Sequence, residues 1–198
     1  MKESPFSTRD IVMIPLFTAI TVALGFLYIP LPFSPVPVTG QSLGAMLAGS
    51  ILGAKRGALS MVVFLALLAV GAPVLAGGRG GFGWLVGPSG GYIFGFVVGA
   101  FVIGLFAKSL SNLRGGFWWL VVANVIGGIV GIHVPGVVWL AIVTHRSLVD
   151  ALVIGSVPYL PGDLLKVLAS AIIAQGVYAA YPMERLFPRS KPSLPEAN

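Results

Sequence analysis

The sequence predicts an all-α integral membrane protein, a compact bundle of six transmembrane helices with both termini in the cytoplasm. Three observations predict it. First, 57% of the 198 residues are hydrophobic and only 9% are charged, whereas about a quarter of an ordinary globular chain is charged. Second, six apolar stretches approach the roughly 20 residues that a helix needs to cross a bilayer. Third, the cations are sorted. Lys2, Arg9, Lys55, Arg56, Lys108, Arg114, Arg185, Arg189 and Lys191 all fall on one side of the predicted topology. Arg79 and Arg146 fall on the other, and Lys166 lies inside the last stretch. That is the bias of cytoplasmic links.

The net charge of +6 therefore belongs to membrane orientation, and no nucleic-acid partner is expected. The absence of cysteine excludes disulfides, thiolate catalysis and cysteine-ligated metals. The opening "MKESPFSTRD" is short and mixed in charge, and the apolar run after it ends in "YIPLPFSPVP" without a small-residue cleavage site. It reads as a retained first span, not a signal peptide. The whole of 1–198 reads as a single transmembrane domain with short cytoplasmic tails at about 1–10 and 182–198. Its expected place is the prokaryotic cell membrane, as a multi-pass protein.

The first span is expected at 11–29. Pro30, Pro32, Pro35 and Pro37 follow, in a link no regular helix accommodates. The second span, 39–53, is short and opens with Thr39, a potential cap, and Gln41. The third is 57–75, and the glycine-rich link "AGGRGGFGWLVGPSGG" leads to the fourth, 91–107. The fifth, 117–143, is over-long and contains Gly127, Gly128, Gly131 and Pro135, where a kink or break is expected. The sixth is 159–181. Trp118, Trp119, Tyr178 and Tyr181 fall at the inner boundary, and Tyr28, Trp139 and Tyr159 at the outer one, as amphipathic rings prefer. Outer links are longer and richer in Pro and Gly than inner links. Long structured loops on one face usually cover or build a site.

Small residues recur at four-residue spacing: Ala19 and Ala23; Ala45, Gly49 and Gly53; Gly95 and Gly99; Gly127 and Gly131. They allow close helix approach in lipid, either within this chain or against a partner. A first helix at the bundle edge makes Ala19 and Ala23 the natural docking pair.

Chemistry concentrates in "PYLPGDLLKV". Pro158 and Pro161 read as the hinge that starts the last helix, and Gly162 as a tight turn. Asp163 and Lys166, three apart, share one helix face. Ionisable residues within spans face the bundle interior or a cavity, and the helix N-terminus favours the Asp163 charge. The pair is either a self-neutralising cap or a polar anchor for a solute. The second reading is favoured, because a buried ion pair rarely gains net stability over apolar residues. The "GGRGG" and "GPSGGY" segments lack the Lys-Ser/Thr pair of a P-loop. They bring Arg79, Ser89, Gly91 and Tyr92 to the same outer face, with glycines that permit close backbone approach to a ligand. Gln41 is either an interhelical hydrogen bond or a ligand contact, and Asn124 leans towards packing. His133 and His145 lie 12 apart, and no carboxylate is expected near either one. No metal site, triad or paired-carboxylate site is expected, so no catalytic residue is assigned and the chain is not expected to be an enzyme.

Four segments, "VPVTGQSLGAMLAGSILGAKRGALS", "GAPVLAGG", "GPSGGYIFGF" and "PYLPGDLLK", occur in this order. With them the chain, from about residue 11 to about 181, resembles the BioY family, the biotin-binding membrane S-components of energy-coupling-factor (ECF) transporters. The resemblance implies a six-helix bundle with biotin near the outer face, covered by the first two outer loops. It implies that Asp163 and Lys166 occupy the family's Pro-Gly-Asp-x-x-Lys motif. It implies that Ala19 and Ala23 face a transmembrane coupling subunit that works with two ABC-type ATPase subunits. Biotin would be the transported ligand, with no cofactor. The chain departs at Gly40, where a larger apolar residue is expected, and at Arg79, which either holds the biotin carboxylate or points to water. The ligand's chemistry fits these residues. Asp163 can accept from the ureido N–H groups, and Lys166 can keep Asp163 charged and reach the ureido carbonyl. Arg79 or the amides of "GPSGG" can meet the carboxylate.

Overall fold

Helices form at all six apolar stretches, but their lengths are unequal. The computed structural model of the chain describes residues 8–110 and 116–181. Lys2, Arg114, Arg185, Arg189, Lys191 and the 182–198 tail lie outside the described residues.

Helix α1 spans Thr8–Leu24. Helices α2 (Gln41–Leu52) and α3 (Ala54–Ala69) meet at Gly53, whose φ of 80° only glycine adopts without strain. A short α4 (Gly83–Val86) precedes the long α5 (Gly90–Leu110). Helix α6 (Gly116–Ala123) continues through a π-helical turn at Asn124–Val130 into α7 (Gly131–Thr144). Helix α8 (Leu148–Gly155) and a 3₁₀ turn (Val157–Tyr159) lead into α9 (Leu160–Ala180).

Among the described residues, three stretches are long and apolar enough to cross a membrane: Gly90–Ala107, Gly116–Thr144 and Leu148–Ala180. Helix α2 is not. Its 12 residues rise only about 18 Å at 1.5 Å per residue, against a hydrocarbon core of about 30 Å. The fifth stretch does not break into two separate helices. It stays helical through Pro135, and its irregularity is the widened π turn over Gly127 and Gly128. At the start of α9, Pro161 sits in the first turn, where its missing N–H costs nothing. Gly162 makes no tight turn. It is an ordinary helical residue with open space around it.

Helix α5 is the centre of the bundle, and its glycines explain why. A Cβ on Gly95 would stand 2.7 Å from the Ile132 carbonyl oxygen, and one on Gly104 only 2.1 Å from the Ala54 nitrogen. Gly49 of α2 is equally tight against the Ala100 carbonyl. These small-residue rows serve packing within the chain. Ala19 and Ala23 differ: both are exposed on α1. Deeper in the bundle, Asn124 Nδ2 donates to Ser50 Oγ at 3.0 Å and to the Leu120 carbonyl at 2.8 Å. The Tyr178 hydroxyl donates to the Ser50 carbonyl. Asn124 is thus an interhelical tie, as expected. Near the start of α1, Asp10 pairs with Arg56 of α3 at 2.6 Å.

Two loops sit at one end of this bundle. The first closes through a two-residue antiparallel ladder, β1 (Tyr28–Ile29) with β2 (Val38–Thr39), in the register Tyr28↔Thr39. Thr39 belongs to this ladder and does not cap α2. The cap position is Gly40, without a side-chain bond. A Cβ there would lie 2.6 Å from the Leu24 carbonyl oxygen, which is why no larger residue stands at this position. In the second loop, Gly77 and Gly78 take left-handed φ values of 73° and 70°. They reverse the chain so that Leu75 bridges Arg79.

Candidate functional site

A cavity opens between the two loops and the bundle, with about 720 Å³ of free space counted out to its mouth. The beginnings of α2 (Gln41, Ser42), α5 (Ser89, Tyr92) and α9 (Asp163, Lys166) all line it. Three helix N-termini therefore converge on one space, and their partial positive charges favour acceptors and anions there. Val36 and Pro37 come from the first loop, Arg79 and Trp84 from the second, and Phe96 and Ile132 supply an apolar floor.

The predicted pair is at the cavity wall. Lys166 Nζ donates to Asp163 Oδ1 at 2.9 Å and to Ser42 Oγ at 3.0 Å. The Asp163 side chain is only 4% exposed and that of Lys166 16%. A bare carboxylate at this depth is costly, so a second partner matters. That partner is His133, whose Nε2 lies 2.8 Å from Asp163 Oδ2. Its Nδ1 lies 2.7 Å from Ser156 Oγ. The expectation that neither histidine has a carboxylate partner is therefore corrected. Residues 30 apart in sequence meet across α7 and α9. The contact has no local signature, because i,i+3 and i,i+4 rules apply only within one helix.

Ser156, His133 and Asp163 now form a hydrogen-bonded row with the connectivity of a hydrolytic triad, which the sequence reading did not anticipate. The row is not arranged to act as one. A triad needs its hydroxyl open to a substrate carbonyl. Here His133 and Asp163 line the cavity while Ser156 is buried and does not. Lys166 also holds the carboxylate in a separate ion pair.

The other predicted residues divide. Gln41 lines the cavity, and its Nε2 donates to the Val74 carbonyl at 2.9 Å, anchoring the second loop. Ser89 and Tyr92 also line it, with the Tyr92 hydroxyl donating to the Gly155 carbonyl at 2.7 Å. Arg79 reaches the cavity, its guanidinium 5.2 Å from the Trp84 ring centre in a cation–π contact. Gly91 is not part of the lining. A Cβ there would strike Trp139 Cβ at 2.3 Å and the Pro135 carbonyl oxygen at 2.5 Å, so this glycine lets α5 pack on α7. Tyr159, expected only as an interfacial ring, also lines the cavity. Its hydroxyl donates to the Val36 carbonyl and lies 2.8 Å from Ser34 Oγ, pinning the first loop over the cavity.

The model of the BioY family matches residues 1–183. The chain belongs to the BioY family. Among relatives, it is 44% identical over 182 residues to the biotin transporter BioY of Rhizobium etli, covering 89% of this chain and 97% of that protein. It is 42% identical over 166 residues to the probable biotin transporter BioY of Bacillus subtilis, covering 83% and 88%. A crystal structure of the S-component for biotin from an ECF-type ABC transporter superposes with a TM-score of 0.81 at 34% identity. That match covers 86% of this chain and 91% of the other. The fold of that S-component is thus the fold described above.

Proposed function

We propose that this chain is a membrane-embedded biotin-binding and uptake subunit that captures biotin at the outer face and delivers it inward. The carrying observation is the Asp163–Lys166 pair at the wall of a loop-covered cavity, in a chain whose relatives are named for biotin transport. Biotin's ureido ring carries two N–H donors and one carbonyl. Asp163 accepts from the donors, and Lys166 donates to the carbonyl while keeping Asp163 ionised. The apolar floor receives the thiophane ring. Gln41, Ser89 and Tyr92 complete the polar rim, and Arg79 takes the carboxylate at the mouth. The chain binds and passes on its ligand unchanged.

The bundle crosses the cell membrane six times, at α1, α2, α3, α5, the α6–α7 run and α9, with both termini cytoplasmic; α2 is shorter than the hydrocarbon core, but it is buried among the other helices, so its ends meet protein instead of lipid. The sorted cations support that orientation. Helix α1 presents Ala19 and Ala23 outward, and small exposed residues suit close docking of a partner helix in lipid. The partner is the coupling subunit of an ECF module with its two ATPase subunits. Bulky replacements at Ala19 and Ala23 should impair uptake and spare binding.

Mass spectrometry of the small molecules that co-purify, followed by calorimetry with biotin, tests the central reading. Stoichiometric biotin supports it. Protein that is ligand-free and does not bind added biotin refutes it.

A further inference from the structure

We propose that His133 is a positioning residue of the ligand site, holding Asp163 as an acceptor-only group turned to the ureido edge of biotin. This rests on the biotin reading above. Lys166 cannot do this alone. It lies three residues along the same helix and draws on one oxygen, Oδ1. The other oxygen, Oδ2, is held from a different helix by His133 Nε2 at 2.8 Å. The carboxylate is thus fixed at both oxygens. An ionised carboxylate has about four lone-pair positions, so two remain for a ligand with two N–H donors.

The ring is itself fixed. Ser156 Oγ lies 2.7 Å from Nδ1. Tyr92 and Tyr159 stand edge-on to it, with ring centres at 5.9 and 6.2 Å. Among the described residues, the ionisable side chains in contact with the ring are Asp163 and these two phenols. Lys166 already neutralises Asp163. A ring with its proton on Nε2 satisfies the contact with the Asp163 carboxylate, which can only accept. Nε2–H donates to Asp163, while Nδ1 stays bonded to the Ser156 hydroxyl. A proton on Nε2 keeps Asp163 an acceptor, which admits a donor edge and rejects a ligand that presents acceptors there. Without the ring, Oδ2 loses its donor and Asp163 is free to turn wholly onto Lys166.

The test is calorimetry on the full chain with biotin and with its methyl ester. His133→Leu should weaken both ligands about 10- to 100-fold, the usual effect of losing a hydrogen bond to a charged group. An equal loss for both ligands places the defect at the ureido end. His133→Gln, whose amide nitrogen falls near the Nε2 position, should recover to within about 5-fold of wild type. Ser156→Ala should weaken biotin about 3- to 10-fold, since the ring loses its anchor. Wild-type affinity in His133→Leu, with binding lost in Asp163→Asn, overturns the inference and leaves the biotin site standing. Unchanged binding in Asp163→Asn overturns the biotin site itself. Melting of the ligand-free variants shows which ones fold. Should His133→Leu fail to fold, the other two decide. Binding kept in His133→Gln and weakened in Ser156→Ala supports the inference, and the reverse pattern overturns it.

Discussion

Removing Lys166 should destabilise the ligand-free protein more than removing both members of its pair. Lys166 Nζ stands 2.9 Å from Asp163 Oδ1. At an effective dielectric of about 20, Coulomb's law gives about 6 kcal/mol of attraction at that distance. Desolvation of both groups opposes much of this, and breaking a buried pair by removing one partner typically costs about 3–5 kcal/mol. Lys166→Met leaves a carboxylate that is 4% exposed with His133 as its remaining partner. We take the lower end of the range, because that hydrogen bond persists and the lysine side chain is 16% exposed. About 3 kcal/mol lowers the melting temperature by about 6–12 °C in a chain of this size. Adding Asp163→Asn removes the unpaired charge, so the double variant should melt at or above Lys166→Met. The two changes would then be coupled by about 2 kcal/mol, within the range for residues in direct contact. Tryptophan fluorescence melting in detergent, without biotin, reads all four proteins. Strictly additive losses would refute the reasoning, because they would mean that the two charges do not interact across the 2.9 Å contact.

Three further outcomes are expected. Tyr159→Phe removes the hydroxyl that pins Val36 and Ser34. It should speed biotin dissociation about 10-fold, measured by radiolabelled biotin chase, with little change in melting. Arg79→Ala should weaken biotin more than a neutral biotin amide in calorimetry, and equal losses would remove Arg79 from the carboxylate role. Gly104→Ala forces a methyl group to 2.1 Å from the Ala54 backbone. It should cost about 1–3 kcal/mol as overpacking, seen as a lower melting temperature, while biotin affinity in the folded fraction stays unchanged.

Much of the cavity lining was legible in the sequence. Asp163 and Lys166 are three apart on one helix, so their shared face follows from 3.6 residues per turn and needs no knowledge of neighbours. Gln41, Ser89 and Tyr92 were legible for a related reason: they open helices next to irregular outer links, where sites are usually built. Gly91 looked similar, yet it faces Trp139 and not the cavity. Position along a helix does not reveal rotation about its axis. His133 was missed for the same reason. Its carboxylate partner is 30 residues away in sequence, and no spacing rule reaches that far.

Composition, cation sorting and the order of the motifs determined by themselves that the chain is helical, lives in lipid and resembles the BioY family. They also determined that one charged pair stands at the start of the last helix. Those properties are local or additive along the chain. The tertiary structure alone decided which faces meet. It joined His133 to Asp163, aimed Tyr159 at the first loop, turned Gly91 onto Trp139 and left Ala19 and Ala23 uncovered. In a soluble helix an apolar stripe marks the buried side. Helices in lipid are apolar on every side, and lipid tails are as apolar as leucine. Periodicity is then silent on which face turns inward, and only packing with its neighbours orients each helix.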